Sequence, residues 1–204
     1  MKKILFLTSS PRGELSHSKR VALQLVDNLR SAHSDVSITT RDLAAEPVPH
    51  IDGSFVAAAF TPESDRTDEQ RTRLALSDQL VDELLWADVV VVASGMINFG
   101  VPSTLKAWTD HVARVGRTFG YSESGPMGLI GPKQVFIVSS SGGVYSSGPM
   151  AAFNHNGAYL RSVFTFLGAD QIEEIVVEGV SMGPEALEST LNGALARAGE
   201  LALV

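Results

Sequence analysis

The stretch that decides the fold is Asp88-Val89-Val90-Val91-Val92-Ala93, running into Ser94-Gly95-Met96-Ile97-Asn98-Phe99-Gly100-Val101-Pro102. Consecutive valines leave no alternation between a wet and a dry face, so the segment reads as a strand buried on both sides. Such strands belong to parallel sheets covered by helices. The small polar run that follows lies at the carboxyl end of the strand, where such sheets bind ligands.

The same grammar extends in both directions. Ile4-Leu5-Phe6-Leu7 and Val135-Phe136-Ile137-Val138 are short unbroken apolar runs, and Ile172 to Val177 is a further strand. Val36 to Thr40 alternates apolar and polar residues, as expected at a sheet edge. Between them lie segments with helical spacing: Ser16 to Ala32 (Val21, Leu25, Leu29), Asp68 to Ala87 (Leu74, Leu80, Val81, Leu84, Leu85), Ser103 to Val115 (Leu105, Trp108, Val112), Pro149 to Leu167 and Pro184 to Leu201. Ser103 reads as an N-cap and Pro184 as a first-turn proline. Trp108 and Phe136 fall on core stripes. Five strands alternating with five helices predict an α/β fold, a doubly wound five-stranded parallel sheet with helices on both faces, forming one domain over residues 1–204. Two long connections interrupt the alternation. Ala44 to Thr67 carries three prolines, and Gly116 to Lys133 is rich in glycine but holds Phe119 and Tyr121, which favours an ordered lid or interface element.

Composition narrows the function classes. The 204 residues are 44% hydrophobic and 19% charged, with net charge −7 and no cysteine. The acidic balance excludes an electrostatic footprint for nucleic acid or anionic membrane. The missing cysteines exclude disulfides, thiolate catalysis and Cys-ligated metal sites. Lys2-Lys3 precede only a four-residue apolar run closed by Thr8-Ser9-Ser10, too short for a signal peptide, and no apolar run reaches membrane-spanning length. These readings predict a cytoplasmic protein.

Three loops after the first, third and fourth strands carry small polar residues and glycine, and together suggest one composite pocket. The first, from Ser9-Ser10-Pro11-Arg12 to Ser16-His17-Ser18, suits a phosphate: hydroxyls and helix N-terminal N–H groups supply donors, and Arg12 and His17 can add charge. Ser16 is equally a common helix cap. Neither G-x-G-x-x-G nor G-x-x-x-x-G-K-[ST] is present, which argues against a dinucleotide Rossmann site and a P-loop. A serine-rich loop at this place points to a mononucleotide, and flavodoxin-like sheets of strand order 2-1-3-4-5 bind FMN there.

Read together, Ser9-Ser10-Pro11-Arg12, Ser16-His17-Ser18, Met96 through Asp110 and Arg114-Val115-Gly116-Arg117-Thr118-Phe119 resemble the FMN-dependent NADH azoreductases, also described as FMN-dependent NADH:quinone oxidoreductases. The likeness extends to Arg41-Asp42-Leu43, Gly125 to Leu129 and Glu178-Gly179, and so covers nearly the whole chain. It implies that Ser10, Ser16, His17 and Ser18 hold FMN phosphate. It further implies that Met96, Ile97, Asn98 and Phe99, with Ser140, Ser141, Gly142 and Gly143, hold the flavin and its ribityl chain. It also implies two-electron ping-pong chemistry, NADH or NADPH donating and a quinone or azo compound accepting, in a homodimer. Tyr121 and Tyr145, with Phe119, are candidates to stack on the acceptor, and no catalytic acid is assigned. The chain departs from the family in carrying Ile97 where many members have tyrosine, and serine in the loop after the fourth strand where many have arginine.

Two other classes compete with this reading. A flavodoxin-like FMN electron carrier shares the loops but lacks its own nicotinamide-dependent activity; an interaction module would have lost the flavin. Gly179-Val180-Ser181-Met182-Gly183 matches the G-x-S-x-G nucleophile elbow, but all five histidines precede Ser181, so the hydrolase order Ser, acid, His is absent. The motif reads as a helix-entry turn.

Overall fold

The computed structural model describes residues 1–202. Its main sheet is built from β1 (Lys2–Thr8), β2 (Val36–Asp42), β3 (Val89–Gly95), β6 (Gln134–Ser140) and β7 (Gln171–Val177); β4 (Phe119–Ser122) and β5 (Gly125–Gly128) pair separately as an antiparallel hairpin. The helices are α1 (His17–Ala32), α2 (Gly53–Phe60), α3 (Asp68–Trp86), α4 (Ser103–Val112), α5 (Asn156–Leu167) and α6 (Pro184–Leu201). The sheet order is β2-β1-β3-β6-β7 and every neighbouring pair is parallel, so β2 is an edge strand as its alternation predicts.

The unbroken apolar runs feed two cores. Leu5, Leu7, Val90, Val92, Val135 and Ile137 face α3, α4 and α5, while Ile4, Phe6, Val89, Val91, Phe136 and Val138 face α1 and α6. Each fully buried aliphatic side chain stabilises the fold by about 1.5–3 kcal/mol, so the valine run commits β3 to the centre of the sheet. Trp108 and Phe136 are both fully buried, as their stripes predict. Among the described residues, no helix is long and apolar enough to cross a membrane.

Both long connections hold elements of their own, and the bounds of two helices are corrected. The proline-rich connection contains α2, capped by Asp52, whose Oδ1 accepts from Phe55 N at 2.8 Å. The glycine-rich connection contains the β4–β5 hairpin, which is ordered by packing on α5: Phe119 and Phe166 stand 4.9 Å apart, and a Cβ at Gly128 would fall 2.3 Å from the backbone of Leu167 and Gly168. Helix α5 starts at Asn156 rather than Pro149, because Gly148 (φ 70°) and a 3-10 turn at Ala151–Phe153 fill the interval. Pro102, not Ser103, precedes α4, with no side-chain cap, and that helix ends at Val112. Pro184 does occupy the first turn of α6.

Candidate active site

The chain leaves β1 outward to β2, then crosses back to place β3 on the other side of β1. Where strand order reverses in this way, the connections at the carboxyl edge diverge and leave a crevice. The loops after β1, β3 and β6 meet in that crevice.

In the first loop Ser9 Oγ donates to Ala93 O at 3.2 Å, tying the loop to β3. Ser10, nearly buried, accepts from Arg12 N at 3.3 Å. Ser16 caps α1: its Oγ accepts from Lys19 N and lies 3.2 Å from the hydroxyl of the fully buried Ser18. The cap reading of Ser16 is therefore correct, and capping still leaves the first-turn N–H groups at the mouth of the crevice.

In the second loop Ile97 and Gly100 exchange backbone hydrogen bonds of 2.9 and 3.0 Å around Asn98 and Phe99. Both central residues are left-handed, at φ 46° and 71°. Such two-residue turns normally take Asn-Gly. A phenylalanine in this region is strained by about 1–2 kcal/mol. Its surroundings hold it there: Phe99 O accepts from His155 N at 3.0 Å, and its ring lies 5.3 Å from Phe153 and 6.2 Å, edge-on, from Tyr145.

The third loop is fixed from behind by β7 and the turn after it. Ser141 N donates to Val177 O, while Gly179, Val180 and Ser181 N–H groups donate to Gly143, Ser141 and Gly142 carbonyls at 3.0 to 3.2 Å. Glu178 Oε2 accepts from Tyr145 N at 2.8 Å and Ser146 N at 2.9 Å. Burial by itself raises the Glu178 carboxyl, but the Ser146 hydroxyl and these two N–H groups outweigh it and hold the group below its ordinary value.

Gly95 marks where the three loops converge: a Cβ built on it would stand 3.6 Å from Ser140 Oγ and 4.0 Å from Ser10 Oγ. Around it lies a cleft of about 130 Å³ that brings together Ser10, Ser16, His17, Met96, Ile97, Ser140, Ser141 and Gly142, with Arg12 and Ser181. A wider recess of about 510 Å³ shares Ser10, Pro11 and Ile97 and extends over Asp42, Ala45 and Thr104. Ser18 sits behind the wall, joined to it through Ser16. Asn98 and Phe99 form the tip of the neighbouring turn, and Gly143 lies one residue further along, against Tyr145, whose Cε2 would be 3.3 Å from a Cβ there. Tyr145 thus reaches the site only through Gly143 and Phe99. Tyr121 lines neither cavity: β4 holds it 72% exposed, edge-on to Phe119, because the hairpin is fastened to α5. A role for Tyr121 at the acceptor pocket within its own chain is not supported.

Sequence reasoning missed two members of the site. Glu178 is a carboxylate immediately after a buried strand, a position that offers acceptors to neighbouring loops. Ser181 does occupy a helix-entry turn bent by Gly179 and Gly183 (φ 72° and 111°), but its side chain also faces the cleft, with Oγ 3.0 Å from a Cβ built on Gly142. No hydrogen bond joins Ser181 to His17 among the described residues, so the cleft holds no nucleophile–base pair. Burial, then Arg12 and Arg20, hold the His17 imidazole below its ordinary value. Among the described residues there is no cluster of His, Asp or Glu able to hold a metal. The donor set of hydroxyls, backbone N–H groups and two basic side chains fits a phosphorylated planar cofactor.

A family model described as a flavodoxin-like fold matches residues 2–202. The chain is 49% identical over 203 residues, 100% of its length and 99% of the relative's, to an FMN-dependent NADH:quinone oxidoreductase of Rhizobium leguminosarum bv. trifolii. The same identity and coverage relate it to an FMN-dependent NADH:quinone oxidoreductase of Rhizobium johnstonii. An azoreductase structure from Bacillus anthracis superposes with a TM-score of 0.92 at 30% identity, covering 100% of this chain and 99% of that one.

Proposed function

Because the chain belongs to the flavodoxin-like family of FMN-dependent NADH:quinone oxidoreductases and azoreductases, we propose that it reduces quinones and azo compounds with FMN as cofactor and NADH as donor. The observation that carries this reading is the convergence of the loops after β1, β3 and β6 on Gly95, in a chain related to such enzymes along its whole length.

FMN, when bound, would supply the chemistry of two-electron transfer between the nicotinamide donor and the acceptor. The chain supplies position and polarity. Ser10, Ser16 and His17, with the N–H groups opening α1 and Ser18 bracing Ser16 from behind, would hold the phosphate. Met96, Ile97, Asn98 and Phe99, in the turn after β3, would hold the ring. Ser140, Ser141, Gly142 and Gly143, in the loop after β6, would hold it as well; the backbone N–H groups of Gly142 and Gly143 have no partner among the described residues. Preorganised donors of this kind stabilise negative charge without reorganising. The strained turn holds Asn98 and Phe99 in one conformation beside the cleft.

In this reading residues 1–204 act as one FMN-binding domain. The exposed apolar side chains of Tyr121, Met127 and Phe166 on the hairpin and α5 support a homodimer. A cytoplasmic location suits an enzyme that draws on nicotinamide nucleotides. The electron-carrier alternative is not favoured, since relatives that match the whole chain are named FMN-dependent NADH:quinone oxidoreductases. Steady-state oxidation of NADH with benzoquinone tests the function: FMN-dependent turnover with parallel double-reciprocal lines is expected, and absence of FMN-dependent NADH oxidation would overturn it.

A further inference from the structure

The narrow cleft has two basic side chains on its wall, Arg12 and His17, and no carboxylate. Its other polar groups are the hydroxyls of Ser10, Ser16, Ser140, Ser141 and Ser181. In a chain of net charge −7, two basic groups facing one cleft with no acid opposite is a specific local imbalance.

Arg12 is the uncommitted member. Among the described residues its guanidinium makes no hydrogen bond and no ion pair, although Glu14 lies two residues away. Lys19 accounts for this, because its Nζ pairs with Glu14 at 2.6 Å and approaches Asp42 at 3.5 Å. The nearby acids are thereby neutralised by a different cation. Meanwhile the backbone of Arg12 is fixed on both sides: its N–H donates to Ser10 Oγ at 3.3 Å and its carbonyl accepts from Leu15 N at 3.0 Å. The guanidinium is thus tethered beside Ser10, close enough to His17 to bear on its ionisation. Burial first, then the neighbouring arginines, hold the His17 imidazole toward its neutral form, so Arg12 is the lasting cation of the pair, at the positive end of α1 where an anion is favoured. The loop after β6 has no basic residue that shares the task.

We propose that Arg12 is a phosphate-binding residue that makes the site selective for a phosphorylated flavin over its unphosphorylated form. The inference rests on the FMN reading above and deepens it. A guanidinium offers two parallel donors to a phosphate, a geometry that lysine cannot reproduce.

The test is the affinity of the protein for FMN and for riboflavin, read by flavin fluorescence quenching, in the unmodified protein, Arg12→Gln and Arg12→Lys. Arg12 is exposed and lies outside the core, so the variants should fold; thermal melting checks this. Loss of one charge-assisted contact predicts that Arg12→Gln weakens FMN by about tenfold to a hundredfold and leaves riboflavin within about twofold. Arg12→Lys should recover part of the loss, and added salt should weaken FMN less in Arg12→Gln than in the unmodified protein. Unchanged FMN affinity in Arg12→Gln, or an equal loss for both flavins, overturns the assignment while leaving the cofactor intact. Failure of the unmodified protein to bind FMN would overturn the proposed function along with it.

Discussion

Asn98 and Phe99 carry adjacent left-handed backbone at φ 46° and 71°, beside a cleft that otherwise uses ordinary geometry. Strain of this size persists only where neighbours over-determine the conformation, and here His155 N–H, Tyr145 and Phe153 do so. The two possible duties of Asn98 can be separated by substitution. Asn98→Gly keeps the turn, because glycine adopts positive φ freely; Asn98→Ala removes the amide and adds strain of about 1 kcal/mol. A direct contact from the amide to FMN predicts that both variants lose affinity, by about twofold to tenfold, in the same fluorescence titration. Wild-type affinity in Asn98→Gly would reduce Asn98 to a turn former. The sequence showed this residue and its loop, but not the strain: nothing in Met96-Ile97-Asn98-Phe99 signals that a phenylalanine will sit where glycine is usual, because the contacts that hold it come from residues 145–155.

At the scale of elements, the strands were legible because burial on both faces writes itself into the sequence as an unbroken run, from Ile4-Leu5-Phe6-Leu7 to the valines of β3. Helix α2 and the β4–β5 hairpin were not. The eight residues of α2 lie between prolines and are mostly small, and the four-residue strands of the hairpin are diluted by Gly120, Gly125 and Gly128. The hairpin depends on tertiary contact instead. A methyl group at Gly128 would meet the backbone of Leu167 and Gly168 at 2.3 to 2.4 Å, so Gly128→Ala should cost about 1–3 kcal/mol or more and lower the melting temperature. An unchanged melting curve would mean that the hairpin is not clamped to α5. Glu178 gives a pH prediction. Its folded pKa lies below the ordinary value, so its stabilisation of the 145–146 segment is complete above the unfolded glutamate pKa and disappears as pH falls through the lowered folded value. Amide exchange at Tyr145 and Ser146 should therefore accelerate on acidification beyond the intrinsic pH trend, and Glu178→Gln should show the faster exchange already at neutral pH. Equal protection in the variant and the parent would remove Glu178 from this role.

At the scale of the whole molecule, the reversal of strand order at β1 creates the site, and it was derivable from the alternation of strands and helices with three decorated loops. What required the structure was the contribution of the fifth strand, whose following turn bonds along the loop after β6 and brings Ser181 and Glu178 to the site. A homodimer predicts a solution mass by light scattering of twice the monomer, unaffected by FMN; a monomer at micromolar concentration would remove that expectation and leave the exposed apolar side chains of the hairpin and α5 unexplained.

The central claim is that the crevice holds FMN and that NADH delivers electrons to it. It is tested most directly by mixing the purified protein with FMN, desalting, and recording the visible spectrum before and after adding NADH in the absence of oxygen. The account predicts that yellow colour is retained and bleaches with NADH. Colour that is not retained, or that is retained and does not bleach, would contradict it.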